Sequence, residues 1–226
     1  MIHEDNYRKI LNDCEKNNAK LIAVSKFHSI EAIQSLYDLG HRDFGENYVQ
    51  ELVKKQEALP EDIRWHFIGN LQRNKVKDIA PFVYLIHSVD SIRLLNTILN
   101  QAKRFNRKIN VLAQLHIAEE DSKFGMSDSE MLDFFDYYEK DIKTLGLVQV
   151  KGLMGMSTYT DDKNKVTEEF QTLVDKFHYI QSKHFIGEKE EFQEISMGMS
   201  SDYLLALEKG STMIRVGSSI FGEREY

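Results

Sequence analysis

A single lysine follows a short apolar segment near the start of the chain and is the first candidate for chemistry. The segment L-I-A-V-S at residues 21–25 predicts a buried strand, and Lys26 comes directly after it. In the ordinary structural role, a lysine here lays its stem on apolar surface while its ammonium reaches water. Alternatively, it lies at the mouth of a pocket, where partial desolvation lowers its pKa and makes the amine nucleophilic. The other polar residues of the chain decide between these two roles.

A second group of polar residues lies near the carboxyl terminus, in two neighbouring loops. The segment T-M-I-R-V-G places Arg215 on a predicted strand, and Gly217 follows where S-S-I-F predicts a short helix. A glycine permits close backbone approach, and the amides at the beginning of a helix point toward an anion. The preceding loop, M-G-M-S-S-D, adds the hydroxyl groups of Ser200 and Ser201. Each loop alone is typical of ordinary turns and caps, but the two together predict a phosphate-binding site.

The elements that position these residues alternate along the chain as strands and helices. Eight strand-then-helix units follow one extra N-terminal helix, which predicts an α/β fold, a (β/α)8 TIM barrel. An open, doubly wound sheet is the alternative, because short strands are difficult to count from one sequence. Residues that bind ligands in such barrels lie at the carboxyl ends of the strands, where closure also brings Arg215 near Lys26. The longer helices are predicted at residues 4–17, 71–79, 91–105, 128–145 and 163–181.

The composition of the 226-residue chain is that of an ordinary globular protein. Apolar residues make up 42% and charged residues 29%, and we expect a single domain over residues 1–226. No apolar run is long enough to span a membrane, and the N-terminus lacks the pattern of a secretory signal. The single cysteine, Cys14, excludes an internal disulfide framework and is typical of a reducing compartment, so we expect a cytoplasmic protein.

Charge and residue spacing argue against several classes of function. The net charge of −7 disfavours a general nucleic-acid surface, which needs a basic stripe. The eight histidines show no metal-ligand spacing, and no Walker loop or dinucleotide-binding glycine motif is present in the sequence. M-G-M-S-S-D is not a nucleophile elbow, because Asp202 stands where a second glycine is required. The combination of a lysine, an arginine and a phosphate-binding site instead indicates pyridoxal 5′-phosphate (PLP).

Eight ordered motifs extend from about residue 21 to residue 223. They are A-V-S-K at 23–26, F-G-E-N-Y-V-Q-E at 44–51, H-F-I-G-N-L-Q-R-N-K at 66–75, H-S-V-D at 87–90, S-K-F-G-M at 122–126, G-L-M-G-M at 152–156, S-M-G-M-S-S-D at 196–202 and R-V-G-S-S-I-F-G at 215–222. With these motifs the sequence resembles the pyridoxal-phosphate homeostasis protein family, the single-domain relatives of the alanine racemase barrel. The resemblance implies a fold-type III barrel that binds PLP.

The resemblance also implies a role for each candidate residue. Lys26 would hold PLP as a Schiff base, and Arg215 would face the pyridine nitrogen. Four residues would contact the phosphate: Ser200, Ser201, Gly217 and Ser218. Asn47 would lie beside the cofactor, and Met156 would lie near its ring.

Two features distinguish a carrier of the cofactor from an enzyme that uses it. The sequence ends at Tyr226, directly after the predicted barrel, whereas alanine racemases have a second domain that supplies a catalytic tyrosine. A permanent cation at the pyridine nitrogen, here Arg215, disfavours protonation of the ring and weakens the cofactor as an electron sink. We therefore expect a non-catalytic, monomeric protein of intracellular PLP homeostasis, with apo PLP-dependent enzymes as recipients. The alternative is a fold-type III enzyme with weak racemase or lyase activity on a small amino acid.

Overall fold

The parallel β-sheet of this protein closes on itself. The computed structural model describes residues 2–119 and 124–222. Its strands are β1 Lys20–Val24, β2 Asp43–Glu46, β3 Arg64–Phe67, β4 Leu85–Val89, β5 Ile109–Gln114, β6 Val148–Met154, β7 Glu194–Ser196 and β8 Met213–Val216. They form a closed barrel in chain order, and β8 pairs with β1 so that Arg215 lies beside Ile22. The predicted (β/α)8 barrel is therefore confirmed.

Helices alternate with the strands and cover the outside of the barrel. They are α1 Glu4–Lys16, α2 Ile30–Asp38, α3 Val49–Ala58, α4 Val76–Ile79, α5 Ile92–Phe105, α6 Asp128–Tyr137, α7 Lys163–His184, α8 Tyr203–Glu208 and α9 Ser218–Phe221. The extra N-terminal helix, α1, contacts α9 through a hydrogen bond. The N–H of His3, directly before α1, donates to the Ile220 carbonyl at 2.7 Å. A capping box of Ser127 and Glu130 begins α6. In the described part of the chain, no helix is long and apolar enough to cross a membrane.

Apolar side chains fill two separate volumes. The larger core lies between the strands and the helices and includes Leu36, Phe44 and Phe170, which are completely buried. The smaller core lies inside the barrel and consists of Ile22, Leu85, Leu112, Met154 and Met213. Strands that are buried on both faces need apolar residues at consecutive positions, which explains their nearly continuous apolar sequences. The barrel interior is therefore packed, and space for a ligand lies at the strand ends.

Two of the predicted helices differ in the structure. Residues 71–79 form a 3-10 turn at Arg73–Lys75 followed by the four-residue α4, which ends at Ile79, as predicted, shortly before Pro81. Residues 128–145 begin as α6 but continue as a π-helix at Tyr138–Ile142 and a final 3-10 turn. The two end residues of the π-helix, Tyr138 and Ile142, are both buried.

Candidate functional site

Lys26 lies in a tight turn at the carboxyl end of β1. The strand ends at Val24, one residue earlier than predicted, and the His28 N–H donates to the Ser25 carbonyl at 3.0 Å to close the turn. The Lys26 side chain is partly buried and, with Val24, lines a cavity of about 220 Å³ at the mouth of the barrel. This placement favours the pocket lysine over the ordinary strand-end lysine.

The cavity collects residues from the ends of six strands, namely β1, β2, β3, β6, β7 and β8. Ser201 is exposed and lines an adjacent cavity of about 420 Å³, so its hydroxyl is not brought to Lys26. Ser122 and Lys123 of the S-K-F-G-M motif lie outside the described residues. The other predicted site residues all line the cavity: Lys26, Asn47, Met156, Ser200, Arg215, Gly217 and Ser218.

Several lining residues were not predicted from the sequence. The most informative is His28, whose ring stacks on Phe221 with centroids 4.8 Å apart and planes inclined by 23°. Residues that bind ligands in such barrels lie at the carboxyl ends of the strands and in the loops that follow. His28 is in the loop after β1, two positions after Lys26, so this rule could have identified it. The remaining unpredicted lining residues are Val24, Ile68, Met199 and Gly222.

Asp202 shapes the loop that carries Ser200. Its carboxylate accepts the Met199 N–H at 2.5 Å, which tightens the turn after β7. The Ser200 hydroxyl accepts the Gly217 N–H at 3.4 Å, a long bond that connects this loop to the loop after β8. A Cβ atom at Gly217 would lie 2.9 Å from the Val24 carbonyl oxygen, so a glycine is needed for this close approach. The backbone itself forms this wall of the cavity.

Arg215 is a fixed cation that reaches the cavity from inside the barrel. Its side chain donates to the Ser196 hydroxyl oxygen at 2.6 Å and to the Gly155 carbonyl oxygen at 3.0 Å. Only 4% of the residue is exposed, and burial lowers the pKa of the guanidinium to about 10. The group therefore remains charged at neutral pH, and its two acceptors hold it in one orientation.

A directional chain of hydrogen bonds extends from Arg215 through the barrel interior. The Asp43 carboxylate only accepts, so His66 donates to it from Nε2 at 3.0 Å and accepts from His87 Nε2 at 2.9 Å through Nδ1. His87 Nδ1 then accepts from the Ser196 hydroxyl at 2.9 Å, and Ser196 accepts from Arg215, which only donates. Burial lowers the pKa of both histidines, consistent with two neutral rings.

Replacing Ser196 by alanine should destabilise the protein by about 1–3 kcal/mol. The substitution leaves His87 Nδ1 and one Arg215 N–H buried without a hydrogen-bond partner. Urea-induced unfolding measures the loss. Ser88→Ala is the matched control, because Ser88 is equally buried and its hydroxyl has no partner among the described residues. Equal stabilities of the two variants would contradict the inferred chain.

One buried acceptor in the cavity wall lacks a partner. The side-chain oxygen Oδ1 of Asn47 is inaccessible to solvent and accepts no hydrogen bond from the described residues. Buried polar atoms are nearly always paired, so this atom indicates a donor that comes from a ligand or a water molecule. In the described ranges, no group of metal-ligating side chains is clustered. The unpartnered Asn47 oxygen therefore suits a ligand that donates a hydrogen bond.

Comparison with known proteins shows the family. The chain matches the alanine racemase N-terminal domain family over residues 3–225. It is 38% identical over 210 residues to the pyridoxal phosphate homeostasis protein of Schizosaccharomyces pombe, covering 92% of this chain and 85% of that protein. The chain belongs to the pyridoxal phosphate homeostasis protein family. The family member of Homo sapiens is 35% identical over 217 residues, covering 92% of this chain and 77% of that protein.

Solved structures agree with this family assignment. The structure of PipY from Synechococcus elongatus PCC7942 with PLP bound has a TM-score of 0.81 and 33% identity, covering 91% of this chain and 93% of that one. Alanine racemase from Streptomyces lavendulae has a TM-score of 0.75 at 14% identity, covering 95% of this chain and 56% of that one. The likeness to alanine racemase shows a shared barrel fold.

Proposed function

We propose that this protein binds PLP covalently through Lys26 and serves to hold the cofactor and deliver it to other proteins. The observation that carries the proposal is the single cavity shared by Lys26, Arg215 and Ser200. The related PipY has been solved with PLP bound, and relatives in the same family are named for PLP homeostasis. A lysine, a fixed cation and a small polar loop match the aldehyde, the ring nitrogen and the phosphate of this cofactor.

The side chains and backbone of the cavity fit these three parts. PLP supplies an aldehyde that condenses reversibly with a primary amine to form a C=N bond, with the carbonyl oxygen leaving as water, and Lys26 provides that amine. The loops that carry Ser200 and Gly217 offer a hydroxyl and backbone amides for the phosphate, where backbone forms the wall. The unpartnered acceptor of Asn47 lines the same cavity at the end of β2. A ligand that donates a hydrogen bond there would satisfy it.

Arg215 favours a carrier over an efficient enzyme. It remains cationic at neutral pH and is held by two acceptors, so it does not supply a proton to the ring nitrogen. A ring that stays unprotonated is a weaker electron sink for carbanion chemistry. The second candidate function is a weak amino-acid racemase or lyase, which the fold shared with alanine racemase supports.

We further propose that the working unit is a cytoplasmic monomer that supplies apo PLP-dependent enzymes. One chain provides the lysine, the arginine and the phosphate loops, so no second subunit is needed to complete this set. The buried single cysteine, Cys14, is typical of proteins from reducing compartments. Light scattering of the protein loaded with PLP measures the oligomeric state. A dimer would contradict the proposal that the working unit is a monomer.

Mixing loaded protein with an apo PLP-dependent enzyme tests the proposed function. We expect the recipient enzyme to regain activity, because Lys26 is only partly buried and an amine could enter the cavity at the mouth of the barrel to displace it from the cofactor. Loaded protein incubated with single amino acids in deuterated water should exchange little or no α-hydrogen, as measured by mass spectrometry. Racemisation or exchange at rates typical of enzymes, on the order of 1–1000 per second, would support the second candidate instead.

A further inference from the structure

A cluster of charged side chains, two buried and one partly exposed, lies directly beneath the turn that carries Lys26. It consists of Lys55 and Glu51 from α3 and Glu46 from β2, which we call the α3 charge cluster. The Lys55 ammonium lies 2.8 Å from Glu46 Oε1 and 2.6 Å from Glu51 Oε1. The side chains of Lys55 and Glu46 are 5% and 0% exposed, so this is an ion cluster in the interior and not a surface pair. This cluster was not predicted from the sequence.

The α3 charge cluster holds the chain on both sides of Lys26. Before Lys26, Lys55 Nζ donates to the Ser25 carbonyl at 2.7 Å, and the Ser25 hydroxyl donates to Glu46 at 2.5 Å. After Lys26, the Phe27 N–H donates to Glu51 at 2.6 Å. The residue before Lys26 is thus held by two members of the cluster and the residue after it by the third.

The backbone conformation at Phe27 shows why such a hold is needed. Phe27 has φ of 66°, in the left-handed region that costs a non-glycine residue on the order of 1–3 kcal/mol. Its side chain is 46% exposed, so burial of the ring contributes little to maintaining this conformation. The hydrogen bond from the Phe27 N–H to the Glu51 carboxylate stabilises the turn together with the bond from the His28 N–H to the Ser25 carbonyl. This turn directs the Lys26 side chain toward the cavity.

Stability alone does not account for the α3 charge cluster. Burying a charged group costs several kcal/mol of folding free energy per ion. Proteins in which apolar side chains replace a buried ion pair are often as stable as the original. Burial raises the pKa of Glu46 to about 7 even beside Lys55, and its second oxygen has no hydrogen-bond partner among the described residues. A set of polar groups retained at this cost is better explained by the geometry that it imposes on the adjacent turn.

We propose that Lys55, Glu46 and Glu51 are positioning residues that orient the Lys26 amine for covalent capture of PLP. This inference rests on the proposed function and deepens it. None of the three lines the cavity of Lys26, so they act through the turn and not through contact with the ligand. The loops that carry Ser200 and Gly217, which we propose for the phosphate, follow β7 and β8 and contain none of the three.

Two ligands and three variants of α3 test this inference. Glu51→Ala removes the acceptor of the Phe27 N–H, whereas Glu51→Gln keeps an amide oxygen there. Glu57→Ala is the matched control, since Glu57 is exposed on the same helix. The ligands are PLP, which can react with Lys26, and pyridoxine 5′-phosphate, which has the same ring and phosphate but an alcohol in place of the aldehyde. Stopped-flow absorbance measures the rate of covalent capture, and fluorescence titration measures the affinity for pyridoxine 5′-phosphate.

We expect Glu51→Ala to slow covalent capture by about 10- to 100-fold, because a small misplacement of a reacting group has effects of this size. Its dissociation constant for pyridoxine 5′-phosphate should match that of wild type, and Glu51→Gln should regain most of the capture rate. Equal losses for both ligands, or a wild-type capture rate in Glu51→Ala, would overturn the positioning role alone. No capture of PLP by the wild-type protein would overturn the proposed function and this inference with it.

Discussion

Replacing Lys26 by alanine is expected to abolish covalent capture of PLP and to leave the barrel folded. Borohydride treatment of the loaded wild-type protein should fix the mass of the cofactor on the peptide that contains Lys26, and the Lys26→Ala protein should carry no such adduct. The covalent link needs a primary amine in the cavity, and alanine supplies none. Contacts to the phosphate and ring should remain, so the variant should bind PLP reversibly and lose it on dialysis.

A second lysine of the same strand provides the matched control. Lys20 lies at the opposite end of β1, where its side chain is 54% exposed and its ammonium is 2.6 Å from Glu194. The Lys20→Ala protein should keep the wild-type adduct and absorption band, because this lysine lies outside the cavity. An unchanged band and an unchanged reducible adduct in Lys26→Ala would assign the covalent site to another lysine and contradict the proposal.

The position of Lys26 was predictable because it depends on local sequence and one rule of barrel architecture. An apolar segment that ends on a lysine, followed by helical periodicity, places the lysine at the carboxyl end of a strand. The same rule placed Arg215 beside β1, and the register of β8 with β1 agrees. Because closure of a parallel barrel brings the last strand to the first, residues that are far apart in the sequence meet without further information.

The supporting contacts could not be predicted, because they depend on tertiary packing. Glu46 and Lys55 are ordinary helix or strand residues in the sequence, and only the crossing of α3 beneath the β1 turn makes them buried partners. Ser201 shows that neighbouring residues in the sequence need not lie in the same site. It adjoins Ser200 in the sequence, but the turn after β7 directs it to the adjacent cavity. Ser200 lines both cavities and Ser201 lines only the adjacent one, a difference that the sequence pattern does not specify.

The phosphate is expected to provide most of the reversible affinity for the cofactor. The proposed contacts are the Ser200 hydroxyl and the backbone around Gly217 and Ser218, all of which line the cavity. A hydrogen bond to an ionised group contributes about 1.5–3 kcal/mol, so two such bonds correspond to at least about 3 kcal/mol. The ligand without its phosphate should therefore bind at least about 100-fold more weakly, since about 1.4 kcal/mol is a tenfold change.

Pyridoxine and pyridoxine 5′-phosphate test this difference without interference from covalent chemistry, because neither carries an aldehyde. Fluorescence titration should give a much lower dissociation constant for pyridoxine 5′-phosphate than for pyridoxine. Ser200→Ala should weaken the binding of pyridoxine 5′-phosphate and leave the binding of pyridoxine unchanged. Ser219→Ala is the matched control, since Ser219 lies in the same short helix as Ser218 but does not line the cavity. Similar dissociation constants for the two ligands would rule out these loops as the phosphate site. An effect of Ser200→Ala on both ligands would show that this loop supports the whole cavity and does not bind the phosphate selectively.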